Sequence, residues 1–178
     1  LYGTCSEGGN SGQGTLFEYT LSTNTMVKKV DLVPNSGGVP KSGLFKASNG
    51  TLYLMTSVGG GVNNKGSILS YVAGSTSITS LFSFSTTTGS MPLGDLMQAS
   101  NGLLYGTLSA DGAASAGTLF SFNPVGNVFQ KLVDMDVLLG GFPSGDLIQA
   151  SNGKLYGMAR EGGTNAGGTL FSWDIGLN

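Results

Sequence analysis

The sequence has no histidine among its 178 residues. That absence removes the Ser-His-Asp and Cys-His relays, in which an imidazole carries the proton, and it removes the commonest metal ligand. The single cysteine, Cys5, cannot form an intrachain disulfide, so cysteine usage says nothing of the redox compartment. Charge is scarce too: Asp, Glu, Lys and Arg make up 10% of the chain, against about 25% in ordinary domains. The net charge is −2, and the one concentration of positive charge, at Lys28, Lys29, Lys41 and Lys46, is too thin to hold a phosphate backbone. Nucleic acid is set aside as a partner. No apolar run approaches the roughly 20 residues that a bilayer requires, and no amphipathic helical stretch is visible. No signal segment precedes Leu1, which falls inside a repeat. The expectation is that the protein's natural start, with any targeting segment, lies outside this sequence.

What is present is glycine, 31 residues of it, together with abundant Ser, Thr and Asn. These residues punctuate a repeat. "GLFKASNGTLYL" at 43–54 returns as "DLMQASNGLLYG" at 95–106 and "DLIQASNGKLYG" at 146–157. With the Leu-Tyr pair as marker, repeats begin at Leu1, Leu52, Leu104 and Leu155, the last one truncated, at spacings of 51, 52 and 51 residues. Periods near 50 belong to propeller blades or solenoid coils.

Each unit carries four strand candidates. The segment at 145–150 is joined to that at 154–159 by Ser-Asn-Gly, and Asn-Gly is expected to supply two positive-φ residues to a tight type I′ hairpin. "GTLFSF" at 117–122 is the third strand and "VFQKLVDM" at 128–135 the fourth; a longer variable segment then crosses to the next unit. The fold class is therefore all-β, a β-propeller-like array of four-stranded antiparallel blades with a period of about 51 residues. A solenoid of parallel coils would not use three hairpins. The glycine after Tyr, at Gly3, Gly106 and Gly157, is expected to admit a neighbouring sheet, and Cys5, in the column of Thr56, Leu108 and Ala159, to be a packing position.

The elements "LYGTLSADGAASAGTLFSF" and "GGFPSGDLIQASNG" resemble the bacterial GloVer tandem repeats of secreted, surface-anchored proteins, and the match extends over the whole chain. The layout is also similar to kelch blades, without their paired glycines, arginine and tryptophan. The resemblance implies an extracellular bacterial protein with propeller-like repeats and an anchor elsewhere; it implies no particular activity.

Candidate sites are few. Asp134 and Asp136 share a strand face but run out into a loop, where solvation is expected rather than catalysis. Asp95 and Asp146 recur at the start of the first strand and are expected to bond loop N–H groups. The glycine-rich loops at 7–14 and 161–168 lack the Gly-Lys-Ser/Thr ending of a phosphate loop. Calcium has Glu7, Asp111 and Glu161, with Asn10 and Asn165 nearby, but one carboxylate per loop is thin for an ion wanting six to eight oxygens, and Val58 replaces the acid in the second unit. Asn49-Gly50-Thr51 is a sequon by chance in a tight turn. Tyr2, Tyr53, Tyr105 and Tyr156 look like core, leaving Phe142 as the best exposed aromatic.

The reading is a non-catalytic extracellular repeat module serving as surface scaffold, adhesin or self-assembling subunit. The alternative is a carbohydrate-binding or carbohydrate-processing propeller, with glycans met at Phe142. Because the chain opens at strand two of one unit and stops after strand three of another, its ends duplicate rather than complement each other. It is not expected to close on itself; further repeats of a longer chain, or identical subunits, would complete it.

Overall fold

The computed structural model describes residues 1–138 and 140–177. They form four antiparallel sheets, each from one contiguous stretch of chain, with two single 3-10 turns and no α-helix among them. The first sheet has β1 (Tyr2–Cys5), β2 (Thr15–Thr20) and β3 (Thr25–Asp31) in order. In the second, β4 (Phe45–Lys46), β5 (Leu52–Met55), β6 (Ser67–Tyr71) and β7 (Thr79–Ser83) follow one another as a meander. The third repeats it with β8 (Met97–Gln98), β9 (Leu104–Leu108), β10 (Thr118–Asn123) and β11 (Val128–Asp134). In the fourth, β14 (Leu155–Glu161) pairs on one side with both β12 (Gly141–Pro143) and β13 (Ile148–Gln149), and on the other with β15 (Thr169–Trp173). These are propeller-type blades. No helix of the described residues is long and apolar enough to cross a membrane.

The chain divides into two compact units, Leu1–Ser85 and Thr86–Asn178. In the first, Leu16 and Val30 of one sheet meet Leu52 and Tyr71 of the next, with Tyr2 and Leu44 against them. In the second, Tyr105 and Leu119 meet Leu147 and Leu155, with Phe171 and Trp173 closing the cluster. Both clusters obey one rule. The face bearing the Leu-Tyr tyrosine and the Leu of Gly-Thr-Leu-Phe receives the opposite face of the following sheet.

Four expectations need correcting. First, the opening strand of a unit is two residues long, not six, as in Ile148–Gln149. Part of its edge is taken by the preceding Gly-X-Pro segment: β12 pairs with β14, and Gly38 and Ser90 make single bridges to Val58 and Ala110. The segment read as a variable crossing thus belongs partly to the sheet it enters.

Second, the Asn-Gly hairpins are not type I′. Only the glycines are left-handed, at φ 83°, 82° and 81° for Gly50, Gly102 and Gly153, while Asn49, Asn101 and Asn152 keep negative φ. Gly102 N–H donates to Ala99 O at 2.9 Å and Ala99 N–H to Leu103 O at 3.0 Å, a three-residue loop with one bulged glycine, repeated at Ala47 and Ala150. The asparagines serve through their side chains. Asn101 Oδ1 accepts Leu103 N–H at 3.1 Å while its Nδ2 donates to Tyr105 Oη at 2.9 Å, and Asn152 does the same with Lys154 and Tyr156.

Third, the glycine after Tyr meets its own sheet rather than a neighbouring one. Gly106 lies opposite Phe120, and a Cβ there would sit 2.7 Å from the ring; Gly3 and Phe17, and Gly157 and Phe171, are arranged alike. In the second unit both members change together, to Leu54 opposite Leu69.

Fourth, Cys5 is exposed, although Thr56, Leu108 and Ala159 in the same column are buried. Of the repeated tyrosines, Tyr53 and Tyr105 are buried, and Tyr2 and Tyr156 half-buried.

Candidate functional site

The glycine-rich loops join β1 to β2, β5 to β6, β9 to β10 and β14 to β15, and in the first and third sheets the last strand fastens the loop. Asp31, ending β3, accepts Asn10 N–H on Oδ1 at 3.2 Å and pairs with Lys28 at 2.8 Å. Asp134, ending β11, accepts Ala113 N–H at 2.7 Å and pairs with Lys131 at 2.7 Å. Asp134 is therefore committed to a loop and a lysine, against the expectation of a solvated carboxylate. Asp136 accepts Leu138 N–H at 2.7 Å. Where Ser83 ends β7, the loop closes differently, with Asn64 Oδ1 accepting Gly59 N–H at 2.7 Å.

Lys28 beside Asp31 holds its carboxyl below the usual range. Burial pushes Asp134 up, but the Lys131 ammonium and Ala113 N–H outweigh it and the carboxyl ends below normal. Glu18 is lowered by Lys29 and by the Tyr2 hydroxyl. All three have folded-state values below their unfolded ones. Their stabilisation is complete above the unfolded carboxylate range and is lost as pH falls through the lower folded values. The expected result is a fall in unfolding midpoint on acidification through that range. The fall should be shallower in Asp134→Asn than in the parent; equal pH slopes would contradict the assignment.

The calcium candidates do not come together. Glu7 and Asn165 are exposed, and Asn10 contributes its backbone N–H to Asp31. The Asp111 carboxylate accepts the Ser90 hydroxyl, and Glu161, ending β14, lies 3.5 Å from Arg160. Among the described residues no three His, Cys, Asp or Glu side chains are grouped to hold a metal ion. Calcium and chelator are expected to leave the unfolding midpoint unchanged; a rise with calcium that chelator reverses would favour a bound ion.

Phe142 is half-buried within β12, not free in a loop. The Arg160 guanidinium lies 5.4 Å from its ring centroid, and the backbone N–H of Phe142 donates to Ala116 O at 2.7 Å. It has left-handed φ of 56° immediately before Pro143, as Val39 has at 52° before Pro40 and Met91 at 56° before Pro92. The ring is thus part of a recurrent Gly/Ser-X-Pro hook.

The first strands carry a latch that no single repeat reveals. Asp146 Oδ1 accepts Asp95 N–H at 2.7 Å, and Gln149 Oε1 accepts Ser100 N–H at 2.8 Å while its Nε2 donates to Gly153 O at 2.9 Å. The latch crosses from the fourth sheet to the third, 51 and 49 residues back. Gly43 and Lys46 occupy those columns in the second unit.

A cavity of about 160 Å³ opens between the third and fourth sheets, lined among others by Leu119, Val133, Asp134, Phe171 and Trp173. The Trp173 Nε1 is buried there without a partner among the described residues. Its walls come from separate repeats, so spacing within one repeat does not announce it.

No curated protein matches the sequence. Among solved structures, TolB from Acinetobacter baumannii is similar at 14% identity and a TM-score of 0.58, over 96% of this chain and 38% of that one. The extracellular domain of the one-component system protein BT4673 from B. thetaiotaomicron is similar at 15% identity and a TM-score of 0.59, over 96% of this chain and 20% of that one. This chain spans well under half of either, and at such identities the likeness is one of fold. The Gloeobacter/Verrucomicrobia repeat pattern matches residues 1–177, and the sequence motifs and blade geometry recur in the same columns; the chain belongs to that repeat family.

Proposed function

We propose that the chain is a non-catalytic extracellular repeat module whose work is to hold blades in register as part of a surface scaffold or adhesin. The observation that carries this reading is the commitment of its repeated polar groups to the fold. Asp31 and Asp134 fasten loops, Asp146 and Gln149 latch one blade to another, and the repeated asparagines hold the blade tyrosines. A catalytic centre needs groups reserved for substrate. An extracellular setting is supported by the likeness to a bacterial extracellular domain. The chain is expected to turn over none of a panel of glycoside, ester, phosphoester and peptide reporters; turnover abolished by a single substitution would overturn the reading.

The cavity favours a second reading, carbohydrate binding, because Phe171 offers an aromatic wall and Trp173 an unpartnered N–H. In a glycan-array experiment, binding that disappears in Trp173→Ala and survives in Phe142→Ala would install it. Phe142 is the weaker candidate since Arg160 already covers its ring.

A further inference from the structure

Three turns carry the same four residues, Ala-Ser-Asn-Gly, at 47–50, 99–102 and 150–153. Asn-Gly is the dipeptide most open to spontaneous loss of the side-chain amide, because glycine has no Cβ to hinder attack by its own backbone nitrogen. Identical residues give the three turns the same intrinsic chemistry, so a difference between them comes from how the fold holds each one. To react, the asparagine must release its side-chain hydrogen bonds and swing until Cγ meets the glycine nitrogen. Two of those restraints are common to all three. Oδ1 accepts the N–H two residues on, at 3.0 Å from Thr51 and 3.1 Å from Leu103 and Lys154, and each glycine N–H donates to the alanine carbonyl at 2.9 Å. The others differ. Asn101 and Asn152 each donate from Nδ2 to a tyrosine Oη at 2.9 Å, whereas Asn49 Nδ2 stands 3.4 Å from Tyr53 Oη, near the limit of a hydrogen bond. Gln98 and Gln149 donate from Nε2 to the carbonyls of Gly102 and Gly153 at 2.9 Å, tying down the residue whose nitrogen would attack. In that column the second unit has Lys46 in place of the amide.

We propose that Asn49 is a site of spontaneous deamidation in the folded chain, while the tyrosine and glutamine bonds hold Asn101 and Asn152 against the same reaction. The Gly50 nitrogen gives up its proton to solvent base and attacks Asn49 Cγ. The new C–N bond closes a succinimide ring, the Cγ–Nδ2 bond breaks, and the amide nitrogen takes up a proton and leaves as ammonia. One water then opens the ring at either carbonyl, giving aspartate or isoaspartate, and nothing is oxidised or reduced. The aspartate product keeps the turn, since its carboxylate can accept both Thr51 N–H and the Tyr53 hydroxyl. Isoaspartate instead adds a methylene to the backbone of a loop that closes between Ala47 N–H and Thr51 O at 3.0 Å. β4 has only Phe45 and Lys46 to pair with Tyr53 and Leu52, so it is the strand this lengthening releases. The site goes beyond the module reading and does not depend on it.

The test incubates the intact chain in mildly alkaline buffer, folded and in urea. Tandem mass spectrometry follows each turn as a gain of about one dalton, and enzymatic methylation of isoaspartate gives a second readout. In urea the three asparagines should react at similar rates. In the folded chain Asn49 should react about fivefold or more faster than Asn101 or Asn152, the difference that one hydrogen bond makes. Tyr105→Phe and Tyr156→Phe, which remove only the hydroxyl, should each raise the rate at the asparagine beside it and nowhere else. Lys46→Gln, which supplies the amide of the column, should slow Asn49. Circular dichroism establishes that each variant is folded, and because the two tyrosines lie in different sheets, either variant serves if the other is not. Equal rates at the three sites in the folded chain overturn the proposal, as does an Asn49 amide that persists there while urea releases it. Unchanged rates in the folded tyrosine variants would overturn it too.

Discussion

Gly117→Ala is expected to lower the stability of the unit Thr86–Asn178 by about 2–5 kcal/mol, read as a shift in denaturant midpoint at unchanged slope. Gly117 sits at φ 98°, where an L side chain is strained, and its Cβ would fall 2.3 Å from Leu108 O and 2.9 Å from Pro143 Cδ. Neither neighbour can retreat cheaply. Leu108 ends β9 within the third sheet, and Pro143 belongs to the hook that enters the fourth. The residue's own groups are also bound, its N–H to Asp111 O at 3.0 Å and its carbonyl to Met135 N–H at 2.9 Å. Gly102→Ala separates conformation from crowding, because Gly102 has φ 82° with open space around its missing Cβ. It should cost only about 1–2 kcal/mol. Equal losses in the two variants would refute the steric part of the account. Gly14, Gly66 and Gly168 face a strand carbonyl in the same way, which is why Gly-Thr-Leu-Phe keeps its first residue even where the others vary.

A second large effect is expected from Gly106→Leu, and its rescue is more informative than its size. Alone, the new side chain must displace the Phe120 ring, which is fully buried and stacked on Phe129 at 5.0 Å, so a loss of about 1–3 kcal/mol or more follows. Phe120→Leu alone leaves space above a glycine and should also destabilise. Together they recreate the pair that the second sheet already uses, Leu54 opposite Leu69. The double variant is therefore expected to be more stable than the sum of the singles by about 0.5–3 kcal/mol. A coupling energy near zero would mean that the two positions are independent and that the Leu-Leu pair of the second sheet is coincidental.

How much of this was legible in the residues depends on the distance each device spans. The three Asn-Gly hairpins announce their own position, since strand, turn and strand lie within a dozen residues. Their geometry is not fixed by the dipeptide, because Asn-Gly fits both a two-residue loop with two left-handed residues and a three-residue loop with one. The choice falls to the second because Asn101 and Asn152 can then hold the backbone and a tyrosine hydroxyl together. Phe142 follows Gly140-Gly141 and so looked like a loop aromatic, but the register of β12 against β14 puts it under Arg160. Cys5 shares a column with Thr56, Leu108 and Ala159, which are buried, yet it is itself exposed, because burial depends on what packs against a strand and not on the column alone.

By itself the sequence determined the blade: the 51-residue period, four strands in meander order, the glycine-rich loops, and the lack of any histidine for imidazole chemistry. Those properties follow from local spacing and composition, which a chain carries with it however it folds. Only the tertiary structure decided what the recurring polar residues hold, which faces are covered and where the cavity lies. The reason is physical. Asp146 and Gln149 find their partners 51 and 49 residues away, and Trp173 meets walls built by β10 and β11, so their environments come from the stacking of separate sheets, which no repeat contains within itself.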